Sequence, residues 1–175
     1  MLDLETMGNR SSSAIIAIGA VKFDPKTKQI TDRFYARVDL QSCLDAGLTV
    51  DGSTIMWWLQ QSEEARSQFK GVLPPLKTAL GGFTTWMQKQ TRPDEMGHTV
   101  WGNGATFDNV ILTNAYNALG LARPWSYKGD RCYRTIRNLY PDVPCKDYGI
   151  SHRADHDAEA QAIHLMEIWP KLRQS

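Results

Sequence analysis

Three stretches of this 175-residue chain carry acidic side chains or imidazoles where packing does not ask for them. The first is Asp3-Leu4-Glu5. On a β-strand, residues two apart point to the same face, so both carboxylates project side by side. Such neighbours repel and raise each other's pKa unless a cation or a donor lies between them. A divalent metal is the usual resolution, and hard oxygen ligands suit magnesium or manganese. Taken alone, the triplet reads equally well as a solvated edge-strand pair. The second stretch is Asn103-Gly-Ala-Thr-Phe107-Asp108, in which Asp108 falls near a helix start, where the dipole already favours a carboxylate. The third is His152-Arg-Ala-Asp-His156-Asp157-Ala-Glu159. In one regular helix His152 and Asp157 would diverge by roughly 140°. They converge only if His152 lies on the loop entering the helix and Asp157 on its first turns, with Gly149 supplying the bend and Ser151 or Asp155 the cap.

Together these residues form the set that one reaction needs. Two divalent ions about 4 Å apart clamp the attacking and leaving oxygens of a phosphodiester during in-line displacement. Holding them takes roughly three or four carboxylates from separate elements, and a histidine can take the proton of the attacking water. Asp3, Glu5, Asp108 and Asp157 with His152 supply that complement.

The elements that must carry them are readable from pattern. Residues 14–24 and 29–39 read as an antiparallel hairpin about the Pro25–Lys28 turn, with Leu2–Thr6 pairing beside it as a third strand. Only two residues precede Asp3, so pairing of that first strand is expected to be weak. STIMWWLQQSEEAR reads as one helix with Ser53 as N-cap, and LKTALGGFTTWMQKQ as a second, weakened by Gly81-Gly82. HTVWGNG is a short buried strand, TFDNVILTNAYNALG a helix closed by Gly120, and residues 154–172 a last helix with Pro170 in its final turn. Strands followed by helices around a further strand give an α/β fold, a mixed sheet flanked by helices, as one domain over residues 1–175.

At this level of detail the chain resembles the DEDDh superfamily of 3′–5′ exonucleases, which share an RNase H-like fold. Asp3-x-Glu5-Thr6 matches its first motif, Asn103-x-x-x-Phe107-Asp108 its second and His152-x-x-x-x-Asp157 its third. LDLETMG, TIMWWLQQ, VWGNGATFDNVIL and CYRTI are similar to one branch, which includes exodeoxyribonuclease VIII-like proteins, phage exonucleases and a mycobacterial exoribonuclease. The resemblance implies that Asp3, Glu5, Asp108 and Asp157 bind two Mg²⁺ or Mn²⁺ ions, with Asp3 bridging them. It implies His152 as general base, and release of nucleoside 5′-monophosphates from the 3′ end of single-stranded DNA or RNA. Thr6, Met7, Asn103 and Phe107 then fall near the terminal nucleotide, and relatives often form homodimers. Asp155 stands where the family usually has an apolar residue, and His156 is a second imidazole; His152 is preferred because it lies five residues before a fitting Asp. Trp57-Trp58 marks the branch, and two adjacent tryptophans on a helix serve the core more often than base stacking.

Charge and composition bound the rest. Twenty Lys and Arg against nineteen Asp and Glu give a net charge of +1, so no global basic excess exists. Arg123, Lys128, Arg131, Arg134 and Arg137 nevertheless cluster, opposed by Asp130. If Cys132, Ile136, Leu139 and Tyr140 face the core of a helix, Arg131, Arg134 and Arg137 face outward, where they can meet phosphates. Three cysteines without a C-x-x-C pair argue against a disulfide framework, and no run is long enough to span a bilayer. With no leader pattern, a cytoplasmic, membrane-free protein is expected. Two competing functions are an RNase H-type endonuclease, against which the H-x-x-x-x-D spacing argues, and a catalytically silent nucleic-acid-binding module of the same fold.

Overall fold

The computed structural model describes residues 1–90, 98–146 and 148–173. The hairpin forms as β2 (Ile15–Asp24) and β3 (Gln29–Arg37), and β1 (Leu2–Thr6) lies antiparallel to β2 along its whole length. The expectation of weak pairing is thus corrected: Met1 N also donates to Val21 O at 2.8 Å, and every residue of β1 has a partner across the strand. On its other edge β1 meets β4 (Val100–Gly102) in parallel, and β4 meets β5 (Asp130–Cys132) in parallel, giving the order β3-β2-β1-β4-β5. Around the sheet lie the helices α1 (Leu40–Asp45), α2 (Gly52–Leu59), α3 (Glu63–Arg66), α4 (Leu76–Lys89), α5 (Asp108–Ala118), α6 (Tyr133–Leu139) and α7 (Ala154–Ile168). None is long and apolar enough to cross a membrane.

The period-two alternation of β1 divides the molecule. Leu2 and Leu4 enter the larger core with Ile16, Ile18, Leu80, Phe83, Ile111 and Leu112, under α4 and α5. Asp3 and Glu5 face the opposite side, where α7 crosses β1 and β2 and buries Ala158, Ala162 and Leu165 against Val21 and Tyr133. Gly19, opposite Asp3 in the register, permits that crossing: a Cβ there would lie 2.0 Å from the backbone of Ala154. At β4, a Cβ on Gly102 would sit 2.3 Å from Asn109 Oδ1, so the start of α5 also closes onto the sheet over a glycine.

Two expected elements differ, and a third forms more regularly than its glycines suggest. The helix expected over residues 53–66 is two: α2 stops at Leu59, and the Ser62 hydroxyl accepts from Ala65 N to start α3 afresh. The N-cap of α2 is Asp51, with Ser53 inside the helix. Gly81-Gly82 leaves α4 unbroken, since α4 packs on β3 and the core supplies what local propensity withholds. In RCYRTIRNLY the first two residues belong to β5, which shifts the helical phase. Tyr133 becomes the fully buried anchor of α6, and Leu139 is 66% exposed.

Candidate active site

The three sequence motifs meet in an open pocket of about 490 Å³, whose wall includes Asp3, Glu5, Thr6, Trp57, Asn103, Phe107, His152, Asp157 and Gln161. Ligand atoms of Glu5, His152 and Asp157 all lie within 4.8 Å of one another. Asp108 sits beneath the wall, buried at the first residue of α5. Its Oδ1 accepts from Leu4 N at 3.2 Å, and its Oδ2 has no hydrogen-bond partner among the described residues. On the α7 side, Gln161 Nε2 donates to Asp3 Oδ1 at 2.7 Å.

His152 and Asp157 converge because His152 precedes α7 and adopts a left-handed backbone with φ 61°. The His152 N–H donates to Asp157 Oδ2 at 3.0 Å, so the expected loop-to-helix arrangement is present. The cap residue is Arg153, and neither Ser151 nor Asp155 caps the helix. Asp155 instead takes two hydrogen bonds from Arg153 at 2.8 and 3.1 Å, so the extra negative charge is compensated locally. His156 points elsewhere: its Nδ1 accepts from Ile150 N at 2.8 Å, beside Gly149 at φ 65°. Glu159 turns away to form a bidentate pair with Arg33, with both contacts at 2.6 Å.

The electrostatics are those of carboxylates crowded together and largely buried. Burial, then the charges of Asp108, Glu5 and Asp157, push Asp3 well above the usual carboxylate range. Burial followed by Asp157 and Asp108 pushes Glu5 up to about 8, and burial pushes Asp108 up to about 7 despite the hydrogen bond from Leu4. Burial also raises Asp157, against the opposing pull of His152. Paired hard oxygens and an unpartnered buried carboxylate oxygen suit a divalent cation, and the crowding that raises their proton affinities is what a bound cation would relieve.

A known family covers nearly the whole chain. Residues 1–169 match the family described as the 3′-5′ exoribonuclease Rv2179c-like domain. The chain belongs to this family. Among solved structures it is similar to the nuclease domain of 3′hExo, a DEDDh family member, bound to rAMP, with a TM-score of 0.67 and 14% identity over 97% of this chain and 90% of that one. It is also similar to the 3′-exonuclease described in 3′-end specific recognition of histone mRNA stem-loop, with a TM-score of 0.61 and 12% identity, over 97% of this chain and 80% of that one. Cell-death related nuclease 4 matches with a TM-score of 0.57 and 13% identity, over 97% of this chain and 62% of that one. No curated protein matches the chain. The chain is thus a member of a 3′–5′ exoribonuclease family, and its fold is the RNase H-like fold of DEDDh nuclease domains.

Not every expected contact of the exonuclease faces the pocket. Met7 is buried in the larger core and does not line it, because its backbone ties β1 to Ala14 and Asp51. Thr6 lines it while donating to Gly8 O and accepting Trp58 Nε1 at its carbonyl. Arg134 stands outside the wall and donates to the carbonyl of Asn103 at 2.6 Å, and Arg131 is tied to the carbonyls of Lys128 and Asp130. Arg123 pairs with Asp130, which also accepts from Asn109 and Trp125. Arg137 does line the pocket, as do Lys146 and Tyr148, which the sequence reading did not single out. Gln161 was also missed, although its place one turn after Asp157 puts both on one helix face. Trp58 is core, as expected of the pair. Trp57 is 40% exposed and meets the His152 ring edge-on at 4.8 Å.

Proposed function

We propose that the protein removes nucleotides from the 3′ end of single-stranded nucleic acid, RNA foremost, and releases nucleoside 5′-monophosphates. The observation that carries this reading is the convergence of Glu5, His152 and Asp157 within 4.8 Å, with Asp3 and the unpartnered Asp108 Oδ2 alongside. Asp3, Glu5, Asp108 and Asp157 would hold two Mg²⁺ or Mn²⁺ ions, and the donor set fits them, being all hard oxygen. When bound, the ions neutralise the clustered carboxylates and stabilise charge on the attacking and leaving oxygens of the scissile phosphate. His152 accepts the proton of the attacking water on an imidazole nitrogen, and Asp157 holds its backbone in reach. Thr6, Asn103 and Phe107 contact the terminal nucleotide, while Arg137 and Lys146 hold phosphates further along the strand. The family description and the nucleotide- and RNA-bound relatives favour RNA.

Oligonucleotides labelled at the 3′ or the 5′ end, as RNA and as DNA, test the reading with magnesium, manganese or chelator. Stepwise shortening from the 3′ end that stops in chelator is expected. Internal cleavage or activity in chelator would contradict it, and binding without turnover in saturating manganese would mark a silent module.

A further inference from the structure

Gln68 lies in the short 3₁₀ turn Ser67–Phe69 that follows α3, and it is 5% exposed. Its Nε2 donates to Ala65 O at 2.9 Å and to His152 O at 3.1 Å, across 84 residues of sequence. Both partners are carbonyls, which only accept, so the amide nitrogen must face them. The other end of the side chain, Oε1, has no partner among the described residues. A buried amide left half satisfied is unfavourable compared with an apolar side chain of the same shape, so packing alone does not explain a glutamine here.

What the amide holds is the carbonyl of the one motif residue with a strained backbone. His152 is at φ 61°, where a non-glycine residue persists only if its surroundings over-determine it. Asp157 grips its N–H and Gln68 its C=O. The imidazole lies nearly perpendicular to Trp57 and Trp58, with ring centroids 4.8 and 6.3 Å away, and Trp58 packs in turn on Phe69, the neighbour of Gln68.

We propose that Gln68 is a positioning residue for the exonuclease reaction, fixing through the His152 carbonyl the left-handed backbone from which the imidazole reaches the site. The inference rests on the reading of His152 as general base. It is tested with Gln68→Met, which keeps size and removes the donor, and Gln68→Glu, which keeps shape and sets an acceptor against two carbonyls. Each is made alone and with His152→Ala, and kcat and KM are measured on a 3′-labelled oligonucleotide with manganese. Both Gln68 variants should lower kcat on the order of tenfold with KM within about twofold, Gln68→Glu more than Gln68→Met. In the His152→Ala background the same changes should alter the residual rate by less than about twofold. A kcat equal to that of the unmodified protein in a folded Gln68→Met, or an equal loss in both backgrounds, would overturn the proposal. A fully active His152→Ala single variant would instead overturn the general-base reading, and the Gln68 role with it.

Discussion

Asp108 accepts the backbone N–H of Leu4 at 3.2 Å, although 104 residues separate them in sequence. Leu4 lies between Asp3 and Glu5, so this bond fixes the second motif to the first through main chain. It leaves Asp108 Oδ2 buried and unpartnered. Asp108→Asn keeps an oxygen for Leu4 and removes one charge from a group of mutually repelling carboxylates. Turnover should fall on the order of 10³-fold, the effect of losing several kcal/mol of charge stabilisation. The metal-free variant should melt no lower than the parent at pH 8, because repulsion is relieved. Calorimetry in chelator beside a turnover assay checks both halves, and a lower Tm would refute the electrostatic account.

The same cluster sets a pH dependence whose sign follows from linkage. Burial and neighbouring carboxylates raise Glu5 from 4.5 to about 8, and burial raises Asp108 to about 7. Through that interval the unfolded chain has released these protons while the metal-free fold retains them. Stability is therefore full below the ordinary carboxylate range and is lost as pH rises toward about 8. Glu159, held low by Arg33, acts in the opposite sense in acid, and the Met1 amino group, which burial lowers to about 5, does so between pH 5 and 8. In chelator, the Tm of the parent relative to that of a Glu5→Gln, Asp108→Asn double variant, which shares the Met1 contribution, should decline from pH 5 to pH 8. Saturating Mg²⁺ or Mn²⁺ should remove the slope and release protons on binding. A parent-to-variant difference that stays flat or rises in chelator would count against the cluster.

The two imidazoles of the third motif separate cleanly. His152→Ala should abolish most turnover with little change in cooperative unfolding. His156→Ala removes the acceptor of the Ile150 N–H and should lower stability by about 1 kcal/mol while retaining turnover. The reverse pattern, full activity in His152→Ala and loss in His156→Ala, would exchange their roles.

How far the sequence foretold this site depends on the distance over which each signal acts. Alternation in Leu2–Thr6 is local, and it correctly set leucines to the core and Asp3 and Glu5 to the other face. Five-residue spacing likewise predicted a loop-to-helix junction between His152 and Asp157. Helical phase in RCYRTIRNLY failed, because pairing of Trp101 with Arg131 makes a strand that no periodicity within the segment reveals. Trp57 and Trp58 could not be told apart, since which ring is buried depends on Thr6 O as a partner for Trp58 Nε1. Gln68 was invisible for the same reason: its partner is brought close only by the fold.

Formal charge gave no support for nucleic-acid binding, yet the basic cluster and the nearby Lys146 divide into cations with different surroundings. Arg123 is held by Asp130 and Thr113 inside the structure, whereas Arg137 and Lys146 line the pocket. Arg137→Ala with Lys146→Ala should raise KM on the order of tenfold. It should also flatten the salt dependence by about 1.4 in log–log slope, the value for two single-strand phosphate contacts. Arg123→Ala should leave that slope unchanged and lower stability by about 2 kcal/mol, because Asp130 loses a charged partner beside Asn109 and Trp125. Binding isotherms across a salt series, with thermal melts of the same variants, distinguish the two. An unchanged slope in the double variant would remove Arg137 and Lys146 from the strand's path.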